Sequence, residues 1–112
     1  MKQAILDTSF IITCAKQKID FFNYLEEEGF HILIPKQTVS ELRALGSELA
    51  LKILKKNKFK LVSVAGRDAD EAIISFSKKN PETIVATLDR ELQNKIKNRK
   101  LLIRGKKKLE II

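Results

Sequence analysis

Short apolar segments alternate along this chain with segments whose apolar residues recur at helical spacing. Strand-like segments lie at 3–6, 31–34, 60–64, 83–86 and 101–103. Strands that are apolar throughout are buried on both faces, and in parallel sheets helices provide that cover. The alternation therefore predicts an α/β fold with a mainly parallel sheet of about five strands and right-handed crossovers. Residues 109–112 would add an edge strand or pack as a tail. The helices are expected at about 9–15, 19–28, 38–45, 48–56, 68–79 and 89–97.

The length and the counts of two residue types limit the possible classes of protein. A chain of 112 residues predicts one domain, 1–112, with a core of its own. Cys14 is the only cysteine, which excludes an intrachain disulfide and a cysteine-ligated zinc or iron–sulfur site. We expect it in the core, and we expect His31, the only histidine, to be structural or on the surface. The apolar runs are too short to cross a bilayer and the first residues lack a signal-peptide pattern, so a reducing cytoplasm is the expected compartment.

Basic residues outnumber acidic ones by 22 to 14, which gives a formal net charge of +8. The excess is greatest in a basic C-terminal segment, 95–108, and no acid lies between Glu91 and Glu110. Such a charge block suits a polyanion such as RNA or DNA, because counterions are released on binding. A surface that serves only solubility is the alternative. The residues expected to contact nucleic acid are Arg90, Lys95, Lys97, Arg99, Lys100, Arg104, Lys106, Lys107 and Lys108.

Four carboxylates follow predicted strands or begin the helices after them. Asp7 ends the first strand and Asp89 follows the fourth, whereas two further acids lie early in helices. Sites in parallel α/β sheets lie beyond the carboxyl ends of the strands, so we expect these side chains at one edge. Their mutual repulsion favours a bound cation, and a ligand set made only of oxygens suits Mg²⁺ or Mn²⁺. The four residues, called here the acid cluster, are Asp7, Glu41, Asp70 and Asp89.

Each acid also has a purely structural interpretation. Asp7 could cap the turn after its strand, and Asp89 could cap the helix that follows it. Thr38 and Glu41 match the capping-box pattern, in which the Glu41 carboxylate returns to the Thr38 amide. Taken alone, this pattern favours a cap over a ligand for Glu41.

The third position of the acid cluster has two acidic neighbours. Asp68, Asp70 and Glu71 all lie where negative charge complements a helix N-terminus, so at most one or two of them need a chemical role. Hydroxyl side chains flank the first and last acids, where they would orient a carboxylate or a water, or only satisfy local backbone groups. These hydroxyl residues are Thr8, Ser9 and Thr87.

Four motifs occur in order along the chain. The first is Leu-Asp-Thr-Ser at 6–9, and the last is Val-Ala-Thr-Leu-Asp-Arg-Glu-Leu at 85–92. Between them lie Pro35 with Val-Ser-Glu-Leu at 39–42, and then Asp-Glu-Ala-Ile at 70–73. This arrangement resembles the PIN domain family over nearly the whole chain. The resemblance implies a three-layer α/β/α sandwich with a mainly parallel sheet, and a ribonuclease that depends on Mg²⁺ or Mn²⁺.

The resemblance also implies roles for individual residues. The acid cluster matches the family's catalytic and metal-ligating acids, with Thr8 or Ser9 and Thr87 as the neighbouring hydroxyls. Asp70 is preferred as the third acid because an apolar residue, Ile73, follows three positions later, as in the family motif. The implied reaction is attack of a metal-activated water on a phosphodiester, which leaves a 5′-phosphate and a 3′-hydroxyl.

Two groups within the family fit the chain. The motif at 89–92 and the basic residues through 108 resemble the small rRNA-processing nucleases of archaea and eukaryotes, which implies structured precursor rRNA as the partner. Toxin ribonucleases of the VapC type, each held by an antitoxin, are the alternative. A non-catalytic RNA-binding scaffold on the same fold is a further one. Homodimers are common in the family, although no residue here indicates one.

Overall fold

The computed structural model describes residues 2–112, which form six strands and six helices in the predicted order. The strands are β1 (Gln3–Leu6), β2 (His31–Pro35), β3 (Lys60–Val62), β4 (Ile84–Ala86), β5 (Lys100–Arg104) and β6 (Lys108–Ile111). The helices are α1 (Thr8–Gln17), α2 (Phe21–Glu27), α3 (Lys36–Ala44), α4 (Glu48–Lys56), α5 (Ala69–Lys79) and α6 (Arg90–Lys95).

The strands form one sheet in the order β3-β2-β1-β4-β5-β6. Neighbouring strands are parallel except β5 and β6, which form an antiparallel hairpin. The predicted α/β sheet is confirmed, but it has six strands and not about five. The extra strand arises because Gly105, with a left-handed φ of 59°, closes a turn after β5. Leu109 and Ile111 of β6 then pack on the core, so the C-terminal residues form an edge strand.

Alternate residues of the central strands face different layers of helices. In β1, Ala4 and Leu6 belong to one apolar cluster with side chains of α1, α2, α3 and α4. Ile5 points to the other face and packs with Ile73 of α5 and Leu92 of α6. Side chains of a strand alternate between the two faces of its sheet. The two groups of β1 residues therefore pack against helices on opposite faces of the sheet. The predicted three-layer α/β/α sandwich is confirmed.

The loop before β5 differs from its predicted form. The sequence predicts a helix to 97, but α6 ends at Lys95. Ile96 then turns into the core, and Asn98 is buried behind it. The Asn98 side-chain amide donates to the carbonyl oxygens of Asn80 at 3.0 Å and Thr83 at 2.8 Å. These bonds fasten the loop to the start of β4 and end the helix early.

Candidate active site

Asp7 lies against the residues that follow β4. In the parallel pair β1–β4, Leu6 lies beside Ala86, and the Asp7 amide donates to the Ala86 carbonyl at 2.9 Å. Asp7 is only 3% exposed. Its Oδ2 accepts hydrogen bonds from Thr87 Oγ1 at 2.8 Å and from Ser9 Oγ at 3.2 Å. Two of the three predicted hydroxyls therefore hold this carboxylate in place.

Burial and neighbouring groups act in opposite directions on Asp7. Burial raises the pKa of its carboxyl group above the ordinary value, because it disfavours the charged form. Hydrogen bonds from the side chain of Thr87, the backbone of Thr8 and the side chain of Ser9 lower the pKa, and the charge of Glu41 raises it again. A cation beside Asp7 would favour the ionised form.

Glu41 connects α1 with α5. Its Oε1 accepts from Thr8 Oγ1 at 2.6 Å, and its Oε2 accepts from the Ala69 amide at 2.8 Å. The capping-box interpretation is wrong, because α3 begins at Lys36, which places Thr38 inside the helix. Glu41 therefore acts on distant parts of the chain and not on its own helix start.

The structure distinguishes the three acids at the start of α5. Asp68 caps the helix by accepting from the Glu71 amide at 2.9 Å, and Glu71 pairs with Arg67 at 2.7 Å. Asp70 makes neither of these local bonds. Partial burial raises the pKa of its carboxyl group to about 6, with further contributions from Asp7 and three other carboxylates. The other contributing residues are Asp89, Asp68 and Glu41.

Asp89 caps α6, as its structural interpretation predicts. Its Oδ1 accepts from the amides of Glu91 at 2.9 Å and Leu92 at 3.4 Å. The Asp89 amide in turn donates to Thr87 Oγ1 at 3.1 Å. One oxygen of Asp89 is thus used by the helix, and its charge still contributes to the raised pKa of Asp70.

Two glutamines that the sequence did not single out hold the loops carrying these acids. Gln93 Nε2 donates to the Thr87 carbonyl at 2.9 Å. Gln37 Nε2 donates to the carbonyls of Val64 at 2.7 Å and Gly66 at 2.8 Å, in the loop before α5. A polar helix residue carries no distinctive signal. The only available clue is that each lies four residues from a candidate acid, one helical turn away.

Gly66 lets that loop approach α5 closely. Its φ is 152°, and a Cβ built there would lie 2.6 Å from the Ala72 amide nitrogen. A side chain at this position would push the loop away from the first turn of α5, which carries Asp70. The close approach is therefore part of how Asp70 is positioned.

The acid cluster fits a divalent cation in chemistry but is not assembled around one. Its donors are all carboxylate oxygens, which Mg²⁺ and Mn²⁺ prefer. The pKa of Asp70 is raised first by burial and then by neighbouring carboxylates, and a cation would offset that repulsion. Within residues 2–112, however, no three His, Cys, Asp or Glu side chains form a ready set of ligands. Hydrogen bonds already use both oxygens of Glu41 and one oxygen of Asp89, which leaves Oδ2 of Asp89 without a hydrogen bond to helix α6.

The predicted RNA-contacting residues lie at two different edges of the sheet. In the parallel pair β4–β5, Lys100 lies beside Val85, so Arg104 extends beyond the carboxyl end of β4. The hairpin lysines, Lys106, Lys107 and Lys108, follow Arg104 and are exposed at that edge. Arg90, the first residue of α6, lies there too.

The other predicted RNA contacts lie towards the amino edge. Lys95 ends α6, and Lys97 and Arg99 follow in the loop before β5. Lys100 turns its ammonium group back on its own loop, where Nζ donates to the carbonyls of Ile96 at 3.3 Å and Asn98 at 2.9 Å. The contiguous basic segment 95–108 is therefore divided by the fold.

Two single residues lie where they were expected. Cys14 is fully buried in the core, and burial raises the pKa of its thiol to about 12. His31, the first residue of β2, is exposed. Separately, of the helices formed by residues 2–112, none has the length and apolar character needed to cross a membrane.

Three comparisons with known proteins point to one family and its fold. A family model described as a PIN like domain matches residues 4–106. Ribonuclease VapC4 of Methanocaldococcus jannaschii is 34% identical over an alignment of 127 positions. The alignment covers 99% of this chain and 97% of that protein. A solved structure described as the PIN domain endonuclease Utp24 superposes with a TM-score of 0.85 at 28% identity, covering 97% of this chain and 90% of that one.

Proposed function

The chain belongs to the PIN-like domain family, and from that membership we propose that it is a metal-dependent endoribonuclease. The observation that carries the proposal is the convergence of the acid cluster. Burial raises the pKa of the Asp70 carboxyl group on α5, and the charges of acids from three other parts of the chain, Asp7, Asp89 and Glu41, raise it further. A fold gains no stability from such repulsion, so the arrangement supports a functional role.

The proposed roles follow from the contacts of each acid. Asp7 and Asp70 would be the principal ligands, because neither carboxylate caps a helix. Asp89 would contribute the oxygen that its helix does not use, and Glu41 would hold Thr8 and the start of α5. A bound Mg²⁺ or Mn²⁺ would activate water and offset the charge of the phosphodiester.

RNA is the proposed substrate, and the hairpin lysines support it. They project from the sheet edge at which the acid cluster lies, so they could hold a phosphate backbone beside the acids. Precursor rRNA is the proposed target, as the resemblance of 89–108 to rRNA-processing nucleases implies. We also propose a single domain over 1–112 and a cytoplasmic location, and we leave open a homodimer.

The relationship to Ribonuclease VapC4 favours a second candidate, a toxin ribonuclease restrained by an antitoxin. The two functions differ in their partners. A small neighbouring reading frame whose product binds this chain and blocks cleavage would support the toxin. Cleavage at one position of a precursor rRNA, with no inhibitor encoded nearby, would support the processing nuclease.

Cleavage of an end-labelled precursor rRNA transcript tests the enzymatic proposal. We expect Mn²⁺-dependent products with 5′-phosphates, and none with chelator. Asp7→Asn should abolish cleavage while RNA binding stays intact or becomes tighter. Glu82→Gln, which removes an exposed carboxylate from the turn before β4, is the matched control and should cleave normally. Equal cleavage by Asp7→Asn and wild type would reject the proposal, and RNA binding with no cleavage under any metal would favour the scaffold.

A further inference from the structure

A cleft separates the α1–α2 turn from the turn of the β5–β6 hairpin. Its volume is about 360 Å³, and it is lined by residues from two distant parts of the chain. Lys18 and Asp20 come from the turn, Tyr24 comes from α2, and Lys107 and Lys108 come from the hairpin. The residues that line the cleft include three lysines and one aspartate, which gives the lining a net charge of +2.

Three acidic groups lie near the cleft, and two of them, Asp20 and Glu110, already have partners, whereas Glu28 lies near Tyr24. Asp20 caps α2 by accepting from the Asn23 amide at 3.0 Å. Glu110, on β6, lies 3.7 Å from Arg104 on β5. The lysines lining the cleft have no carboxylate within salt-bridge distance among the described residues. Their charge is therefore available to an anion from outside.

Lys18 has an unusual backbone conformation for its residue type. Its φ is 58° and its ψ is 43°, in the left-handed region at the end of α1. Every other described residue with positive φ is a glycine. Glycine is favoured at this position after a helix, because a Cβ makes the conformation costly. A lysine in a strained conformation whose side chain lines a cleft indicates a role for that side chain.

We propose that this cleft binds the phosphate backbone of RNA through Lys18, Lys107 and Lys108. The proposal rests on the proposed ribonuclease function and assigns it a specific RNA contact. The cleft lies at the turn of the hairpin, which extends beyond the carboxyl end of β4. RNA bound in the cleft therefore lies next to the edge that carries the acid cluster. Lysine suits this role because its ammonium group is a compact charge on a flexible stem.

Replacement of Lys18 by glycine separates a binding role from a structural one. Lys18→Gly removes the Cβ strain, so the melting temperature should rise, by roughly 2–5 °C. The same variant loses one phosphate contact. Its affinity for a fluorescein-labelled RNA stem-loop should fall about three- to tenfold, and the salt slope should decrease by about 0.7–0.9. A residue with only a structural role would not give a more stable protein that binds RNA less well.

Two further variants serve as controls. RNA binding by every variant is measured by fluorescence anisotropy with metal-free protein, so that no cleavage occurs. Lys18→Arg keeps the charge and should bind RNA as wild type does. Lys78→Gln removes one exposed charge from the end of α5 and should leave the salt slope unchanged. Wild-type binding by Lys18→Gly, with an unchanged slope, would overturn the cleft proposal while leaving the nuclease intact.

Two further outcomes separate this proposal from its alternatives. If wild type neither binds nor cleaves RNA, the proposed function fails and the cleft proposal fails with it. Poly-L-glutamate tests an acidic protein segment as the occupant. If Lys18→Gly weakens binding of poly-L-glutamate and not of RNA, the cleft belongs to a protein partner and the proposal is overturned.

Discussion

The Thr87 hydroxyl donates a 2.8 Å hydrogen bond to Oδ2 of Asp7, across 80 residues of sequence. The same hydroxyl oxygen accepts from the Asp89 amide at 3.1 Å. One side chain therefore orients the first acid and fixes the backbone of the last. This relationship joins the ends of two adjacent parallel strands, and it holds the Asp7 carboxylate in a buried position.

Thr87→Val tests that relationship. The substitution removes a bond that lowers the pKa of Asp7, so this pKa should rise further. An ionised Asp7 would then require a higher pH, and the acidic limb of the activity profile should move upwards. Activity at neutral pH should fall roughly 10- to 100-fold, the usual effect of removing a partner of a metal-ligating carboxylate. Thr83→Val, at the other end of β4, is the matched control, and an identical pH profile in both variants would contradict the prediction.

Asp70→Asn should stabilise the metal-free protein. The pKa of Asp70 is raised from 3.8 to about 6 in the folded state. A raised carboxyl pKa contributes stability that is present below 3.8 and lost as pH rises through about 6. The amide cannot ionise, so the variant should melt a few degrees higher than wild type above pH 6, and the difference should disappear below 3.8. A lower melting temperature above pH 6 would show that burial and repulsion do not penalise the ionised Asp70.

Mn²⁺ should raise the melting temperature of wild type, because a ligand that binds only the folded state stabilises it by mass action. The increase should disappear in Asp7→Asn and persist in Glu82→Gln. Because the acid cluster is not preassembled, we expect the increase only at high metal concentration or with RNA present. An increase of equal size in Asp7→Asn would place the metal elsewhere.

Glu41→Gln should destabilise the protein, in contrast to Asp70→Asn. Both partners of Glu41, the Thr8 hydroxyl and the Ala69 amide, donate hydrogen bonds, whereas glutamine offers only one accepting oxygen. We expect a loss of about 1–2 kcal/mol, seen as a melting temperature lowered by roughly 4–8 °C. Glu48→Gln, an exposed change in the first turn of α4, should have little effect. An unchanged melting temperature in Glu41→Gln would mean that the connection between α1 and α5 contributes no stability.

Two triple variants test the division of the basic segment. Replacing the hairpin lysines, Lys106, Lys107 and Lys108, by glutamine should weaken RNA binding and reduce its salt slope by about 2–3. In the matched variant, glutamine replaces three basic residues near the amino edge, Lys95, Lys97 and Arg99. Because both variants have the same net charge, only position distinguishes them. Equal effects would show that RNA contacts the whole segment and not one edge.

Much of the fold could be predicted because its causes are local. Continuous apolar strands require cover on both faces, and this requirement predicts the parallel sheet and its helices. Asp89 as a helix cap also depends only on nearby residues, and the structure confirms it. Glu41 shows the limit of this approach. Its capping-box motif is local and convincing, but the carboxylate bonds to Thr8 and Ala69, 33 and 28 residues away.

The sequence by itself determined the layers, the order of the elements and the identity of the carboxylates near the strand ends. These features depend on hydrophobic periodicity and residue type, which are properties of residues close together in the chain. Only the tertiary structure decided which groups meet. The register of β1 on β4 brings Thr87 to Asp7, and β5 runs across the sheet and so divides a contiguous basic segment between two edges. The left-handed Lys18 faces the hairpin only once the helices pack. Such contacts depend on distances between segments far apart in the chain, which no local pattern encodes.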